Sequence, residues 1–223
     1  MAPSIDSPQH NDNREYRYTG VEETARPEYG VIVSWISEEA TVLDLGCGDG
    51  SLLSLLKAEK HIRGTGIERS PSGVQQARKR GLDVFEGSID RPLNQFKDDQ
   101  FDVAVCNVTI QMVLYPEVLL REMKRVARYQ IISFPNHAFY PNRLDLLLSG
   151  RVPRPSLFGY SWYNTGHLHP LSIRDFYQLL EDVKGLRIMK HHGVQTGNIL
   201  KRMLVREFPN LFQAIPVFQL KKI

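Results

Sequence analysis

The sequence has little cysteine, no long apolar run and no excess of one charge. Cys47 and Cys106 are the two cysteines in 223 residues. Each adjoins an apolar, strand-like segment, which argues against a disulfide framework and for structural thiols in a reducing compartment. No stretch approaches the roughly 20 apolar residues that a membrane span needs, and the N-terminal MAPSIDSPQHNDNREYRYTG is polar and lacks a signal-peptide core. A soluble, cytoplasmic protein is expected. Lys and Arg number 28 against 25 Asp and Glu, mixed along the chain. The basic runs Arg78, Lys79, Arg80 and Lys221, Lys222 read as helix-end and solvated charges, so neither nucleic acid nor membrane is an expected partner. His167 and His169, with His191 and His192 later, have no accompanying Cys or carboxylate cluster, so no metal site is expected.

What is present is 42% hydrophobic and 24% charged residues, enough apolar material for one globular domain. Residues 1–18 lack apolar periodicity and read as a flexible tail; residues 19–223 read as the domain, with an insert at about 135–171.

Strand and helix signals alternate. From Pro27, PEYGVIVSWISEE sets Tyr29, Ile32, Val33 and Ile36 at helical spacing before the apolar strand TVLDL. SLLSLLKAEK, with Leu52, Leu55 and Leu56 on one face, follows as a helix. IRGTGIE is a second strand, and SPSGVQQARKRG a helix with Ser70 as N-cap, Pro71 in its first turn and Gly81 past its end. DVFEG, FDVAVCNV and YQIISF continue as strands, the second apolar enough to be buried on both faces. Between the last two, PEVLLREMKRVAR is a helix with Leu119, Met123 and Val126 inward and a Glu117–Arg121 pair outward. SIRDFYQLLEDV and LRIMKHH add a helix and a strand. AIPVFQLKK is a last strand in which Pro216 argues for an edge or end position. This order predicts an α/β fold: a doubly wound, mostly parallel sheet with helices on both faces and its ligand beyond the carboxyl ends of strands one, two and three.

The first strand ends in Gly46, Gly48 and Gly50 before a helix, which permits close backbone approach and exposes helix N-terminal amides. A dinucleotide fingerprint wants its third glycine at the sixth position, where this chain has Ser51. Asp44 beside the loop would repel a pyrophosphate and suits a ligand carrying positive charge. Glu68, ending the second strand, can accept hydrogen bonds from both hydroxyls of a ribose. Together these features read as an S-adenosylmethionine site.

The segments VLDLGCGDG, GTGIE and FDVAVCNVTIQMVLYPEVLLREMKRV resemble the class I S-adenosylmethionine-dependent methyltransferases, which have a Rossmann-like fold. With IISFPN, NRL, WYNTGHLH and DF, the chain is similar to the methionine biosynthesis protein MetW family over about residues 27–221. The resemblance implies cofactor contacts from Asp44, Gly46, Gly48 and Gly50 to the methionyl and ribose parts, from Glu68 to the ribose, and from Asn107 at the end of the fourth strand. The adenine would lie at the third-strand end, where Ser88 stands in place of the usual acid and Asp90 follows. Many small-molecule enzymes of this type carry LxH after the fourth strand; this chain has Ile110, Gln111 and Met112, so that general base is missing. The resemblance implies an S-adenosylmethionine-dependent methyltransferase of methionine biosynthesis acting on a small molecule. Its other implication is a cofactor-binding accessory of homoserine O-acetyltransferase without methyl transfer of its own.

The insert, with five prolines and many aromatics, is expected to cover the cleft mouth. His137, Tyr163 and His167 are the catalytic candidates within it. Tyr160 and Trp162 could join them in lining an acceptor pocket, or the aromatics could pack the insert onto the sheet.

Overall fold

The structure is a computed structural model that describes residues 26–153, 162, 165–193 and 199–223. The expected tail at 1–18, and Tyr160 and Tyr163, lie outside the described residues.

Seven strands form one sheet in the order β3-β2-β1-β4-β5-β7-β6. They are β1 (Thr41–Leu45), β2 (Arg63–Glu68), β3 (Asp83–Glu86), β4 (Phe101–Asn107), β5 (Ala127–Ser133), β6 (Leu186–Gly193) and β7 (Pro216–Lys222). The first five pair in parallel, and β7 runs antiparallel to both β5 and β6. The order reverses between β1 and β4, which opens a crevice at the carboxyl ends of those strands.

Alternate side chains of the central strands feed two cores. Val42, Val103, Val105 and Ile131 face α1 (Pro27–Trp35), α2 (Ser51–Lys60) and α3 (Pro71–Lys79). Leu43, Leu45, Ala104, Cys106 and Ile132 face α4 (Pro116–Val126) and α6 (Ile173–Val183). On α4, Leu119, Leu120, Met123 and Val126 are fully buried, each contributing about 1.5 to 3 kcal/mol. Ser70 caps α3 by accepting from the Gly73 amide, with Pro71 in the first turn. A reciprocal Ser172–Asp175 capping box starts α6.

The structure refines two expectations and overturns a third. The insert contains a helix of its own, α5 (Tyr140–Ser149), started by Pro141 and closed by Gly150 in the left-handed conformation. Of the two positions that Pro216 argued for, the structure takes the end: it is the first residue of β7, where it pairs with Gly193, and the strand itself is interior with β6 at the edge. The Glu117–Arg121 pair does not form. Arg125 instead binds Glu122 at 2.7 Å and Asp98 at 2.9 Å, and donates to the carbonyls of Leu93 and Phe96, which ties α4 to the β3–β4 connection. Two further helices, α7 (Ile199–Glu207) and α8 (Pro209–Phe212), follow β6, and a 3₁₀ turn at Ile110–Met112 follows β4. No helix among the described residues is long and apolar enough to cross a membrane.

Candidate functional site

A cleft of about 490 Å³ opens over the carboxyl ends of β1, β2 and β4, a size suited to a small ligand. Its floor is the glycine turn. The amides of Gly46 and Cys47 both donate to the Ile67 carbonyl, at 2.8 and 3.1 Å, which folds the turn back onto β2. Gly46 and Gly48 both have positive φ, 79° and 59°. A Cβ on Gly46 would lie 2.5 Å from Cγ2 of Thr109, another lining residue, so the close approach of the β1 and β4 ends requires glycine. Gly50 is outside the lining. It starts α2, and a Cβ there would strike Leu82 and Ala77, so its want of a side chain serves packing between α2 and α3.

Glu68 is 9% exposed, so it is no solvated surface acid. Its two carboxylate oxygens accept from the amides of Gly48 at 2.8 Å and Ser70 at 2.7 Å, which fixes the acid between the glycine turn and the start of α3. Gly73 allows this proximity, since a Cβ there would meet the Gly48 carbonyl at 2.9 Å. Asp49 supplies the cap that Gly50 cannot, accepting from the Ser51 amide and hydroxyl and pairing with Arg80 at 2.6 Å.

Asp44 is 2% exposed at the base of the cleft. Burial, and then the nearby Glu68 charge, push its carboxyl up from 3.8 to about 7, against the lowering influence of Arg26. The folded chain therefore keeps this proton to about pH 7, whereas the unfolded chain releases it near 3.8. Asp44 thus makes folding less favourable as pH rises through that window. A buried acid of this kind has more to gain from a cation than from an anion. Burial, followed by the Asp44 charge, also pushes the Cys47 and Cys106 thiols far up, which keeps both as inert thiols.

The fourth-strand end completes the wall. Val108 adopts φ 51°, an uncommon conformation for a β-branched residue. Its amide donates to the Ser133 carbonyl and hydroxyl, both at 3.0 Å, and its carbonyl accepts from Gln111 Nε2 at 2.8 Å. These bonds hold a turn in which Asn107, Val108 and Thr109 all line the cleft. Asn107 accepts from the Ser133 hydroxyl and donates to Glu28 at 3.3 Å. At the rim, Ser88 donates to Asp90 at 3.1 Å, and Asp90 also accepts from the Leu114 amide.

The structure thus brings Asp44, Gly46, Gly48, Glu68, Ser88 and Asn107 around one cleft. His167 joins them with Thr165 and Gly166, so the end of the insert does reach the cleft. The carbonyl of Gln111 accepts from the amides of Leu168 and His169, which pins this segment to the turn after β4. His137 lies behind His167, the ring centres 6.4 Å apart, and outside the lining. Burial pushes its imidazole down from 6.5, which favours the neutral form. Trp162 is 71% exposed and outside the lining. Among the described residues no group of three or more His, Cys, Asp or Glu is arranged to hold a metal ion.

Arg26, Glu28 and Tyr29 also line the cleft and were not anticipated from the sequence. One signal was available: Glu28 precedes Ile32 and Ile36 by four and eight residues, so it occupies the buried stripe of the α1 segment.

The family described as "Methionine biosynthesis protein MetW" matches residues 26–220. The chain belongs to the MetW family. The bifunctional methionine biosynthesis protein MetXA/MetW of Rhodopirellula baltica is 36% identical over 158 residues, which is 67% of this chain. The match spans 25% of that longer protein. Among solved structures, the complex of the Haloferax volcanii methyltransferase activator Trm112 with a methyltransferase contains a chain similar at TM-score 0.63 and 19% identity, covering 88% of this chain and 89% of that one. A SAM-dependent methyltransferase from Thermotoga maritima gives 0.62 and 20%, covering 88% of each chain. The chain therefore has a class I methyltransferase-like fold and is a methyltransferase-like protein of a methionine-biosynthesis family.

Proposed function

We propose that this chain binds S-adenosylmethionine in the cleft and transfers its methyl group to a small molecule of methionine biosynthesis, working beside homoserine O-acetyltransferase. The observation that carries the reading is the pair of buried carboxylates, Asp44 and Glu68, at adjacent strand ends around a turn where Gly46 cannot bear a side chain. The donor set fits this cofactor. Asp44 suits its cationic amino-acid end, Glu68 suits a ribose diol, and Ser88 with Asp90 stands where the adenine edge would lie. The alternative, an accessory without methyl transfer of its own, rests on the family resemblance and on Ser88 and Met112.

When bound, S-adenosylmethionine supplies an electrophilic methyl group on a sulfonium. The chain's own work is to hold, orient and exclude water, which accounts for much of the catalysis when the leaving group is already activated. Thr165, Gly166, His167, Met112 and Ile215 form the part of the wall left for the acceptor. His167 is the candidate to touch it, and His137 to position His167 from behind.

A proton balance follows from Asp44. Its carboxylate is favoured by a cation in the cleft, so binding below pH 7 should expel a proton and affinity should rise by up to about tenfold per pH unit toward 7, then level. Calorimetry at pH 6 in buffers of differing ionisation heat should register that release, and Asp44→Asn should abolish it. A pH-independent affinity in the unmodified protein would remove Asp44 from the cofactor's contacts.

Methyl transfer itself is tested by following S-adenosylhomocysteine production with homoserine-pathway metabolites as acceptors. Turnover with one of them, reduced at least about tenfold in His167→Ala with cofactor affinity retained, is the expected outcome. Cofactor binding without turnover on any acceptor would leave only the accessory reading.

A further inference from the structure

Helix α5 is inverted with respect to the usual pattern. Its one fully buried side chain is polar: Asn142 donates to the Asn136 carbonyl at 3.1 Å. Its leucines face out. Leu144, Leu147 and Leu148 are 48%, 77% and 81% exposed, and their i, i+3, i+4 spacing sets them in one stripe. Leu146, on another face of the helix, is exposed as well. A helix this apolar normally buries its stripe, and exposed apolar patches of this kind mark interaction sites. The exposed Arg143 edges the stripe with positive charge, and Arg151, past the helix end, is exposed as well.

The helix is also firmly placed. Asn136, just before it, donates to the carbonyls of Asn210 and Gln213, its amide donates to the Ala214 carbonyl, and the Tyr140 ring meets Phe212 at 5.7 Å. A stripe held outward by this anchoring is preorganised for docking into a groove, the mode in which a helix face presents its i, i+3, i+4 side chains as anchors.

We infer that the Leu144–Leu147–Leu148 face of α5 is the surface on which homoserine O-acetyltransferase docks, through an apolar groove with an acidic rim. This rests on the partnership proposed above. It is favoured by the Rhodopirellula baltica relative, a bifunctional protein in which a MetXA part and a MetW part share one chain. Contact between two such parts would be buried where the MetW part offers a large apolar face.

The test compares the unmodified chain with Leu147→Asp/Leu148→Asp, using purified homoserine O-acetyltransferase from the same source. Association by the unmodified chain, weakened at least about 100-fold in the double variant, is the expected result. Melting temperature and S-adenosylmethionine affinity should be unchanged in the variant, because both side chains lie on the surface and outside the cleft. Hydrogen-exchange protection across 140–152 on adding the acetyltransferase is the second readout. Equal binding by both proteins would overturn α5 as the surface while leaving the partnership standing. Absent binding by the folded, cofactor-binding chain would overturn the partner. A dimer of this chain broken by the double variant would assign the face to a second copy, and a lowered melting temperature would assign it to the chain's own packing; either result overturns the inference.

Discussion

Glu68→Ala should weaken S-adenosylmethionine binding by about 10- to 150-fold, the equivalent of losing one charge-assisted hydrogen bond of about 1.5 to 3 kcal/mol, and by more if both ribose hydroxyls depend on it. The same change strips two backbone amides, Gly48 and Ser70, of their acceptor. Leaving such donors unmet in a buried site costs about 1 to 3 kcal/mol, so the melting temperature should fall as well. The two effects are separable because S-adenosylhomocysteine carries the same ribose: its affinity should fall by the same factor as that of the methyl donor. Glu68→Gln should lie between, since its amide oxygen can serve one of the two donors while its NH₂ faces the other. A melting temperature lowered with both affinities intact would restrict Glu68 to holding the glycine turn.

Gly46→Ala should have the second large effect, on stability and binding together. The left-handed backbone at φ 79° costs a residue with a side chain about 1 to 2 kcal/mol. The added Cβ would also press on Thr109, 2.5 Å from Cγ2 and 2.9 Å from Oγ1, and Thr109 is not free to turn aside because its hydroxyl donates to the Asn107 carbonyl at 2.9 Å. The turn after β4 must shift, and Thr109 and Asn107 both line the cleft, so cofactor affinity should drop at least about tenfold. Thr109→Ala in the same chain removes the two closest contacts and leaves the backbone strain. The double variant should therefore recover part of the melting temperature lost in Gly46→Ala, a coupling that independent sites would not display.

The legible parts of this protein are those in which local chemistry and the final fold agree. β1 and β4 are buried on both faces, so their apolar runs stand out, and Ser70, Pro71 and Gly81 bound α3 as capping rules require. The glycine turn and Glu68 were legible because both needs are local: close backbone approach at one strand end, and a carboxylate at the next. α5 was hidden because its leucines follow no inward-facing pattern when read against the rest of the chain; the stripe points to solvent. The interior position of β7 depends on a pairing with β5 more than 80 residues away in sequence, which no local window contains. Glu28 and Arg26 come to the cleft from α1, ahead of the first strand, and only the three-dimensional packing of that helix brings them there. The reading of Gly50 illustrates the opposite case: the residue type was informative, yet the neighbour that demands it is Leu82.

The central claim is a cofactor site built from Asp44, the glycine turn and Glu68. Its most direct test is calorimetric titration of the folded chain with S-adenosylmethionine at pH 7.5, alongside Glu68→Ala. The account predicts saturable binding of one cofactor per chain, weakened about 10- to 150-fold in the variant. No binding by a chain whose melting transition is cooperative, or binding of equal strength in both proteins, would contradict it.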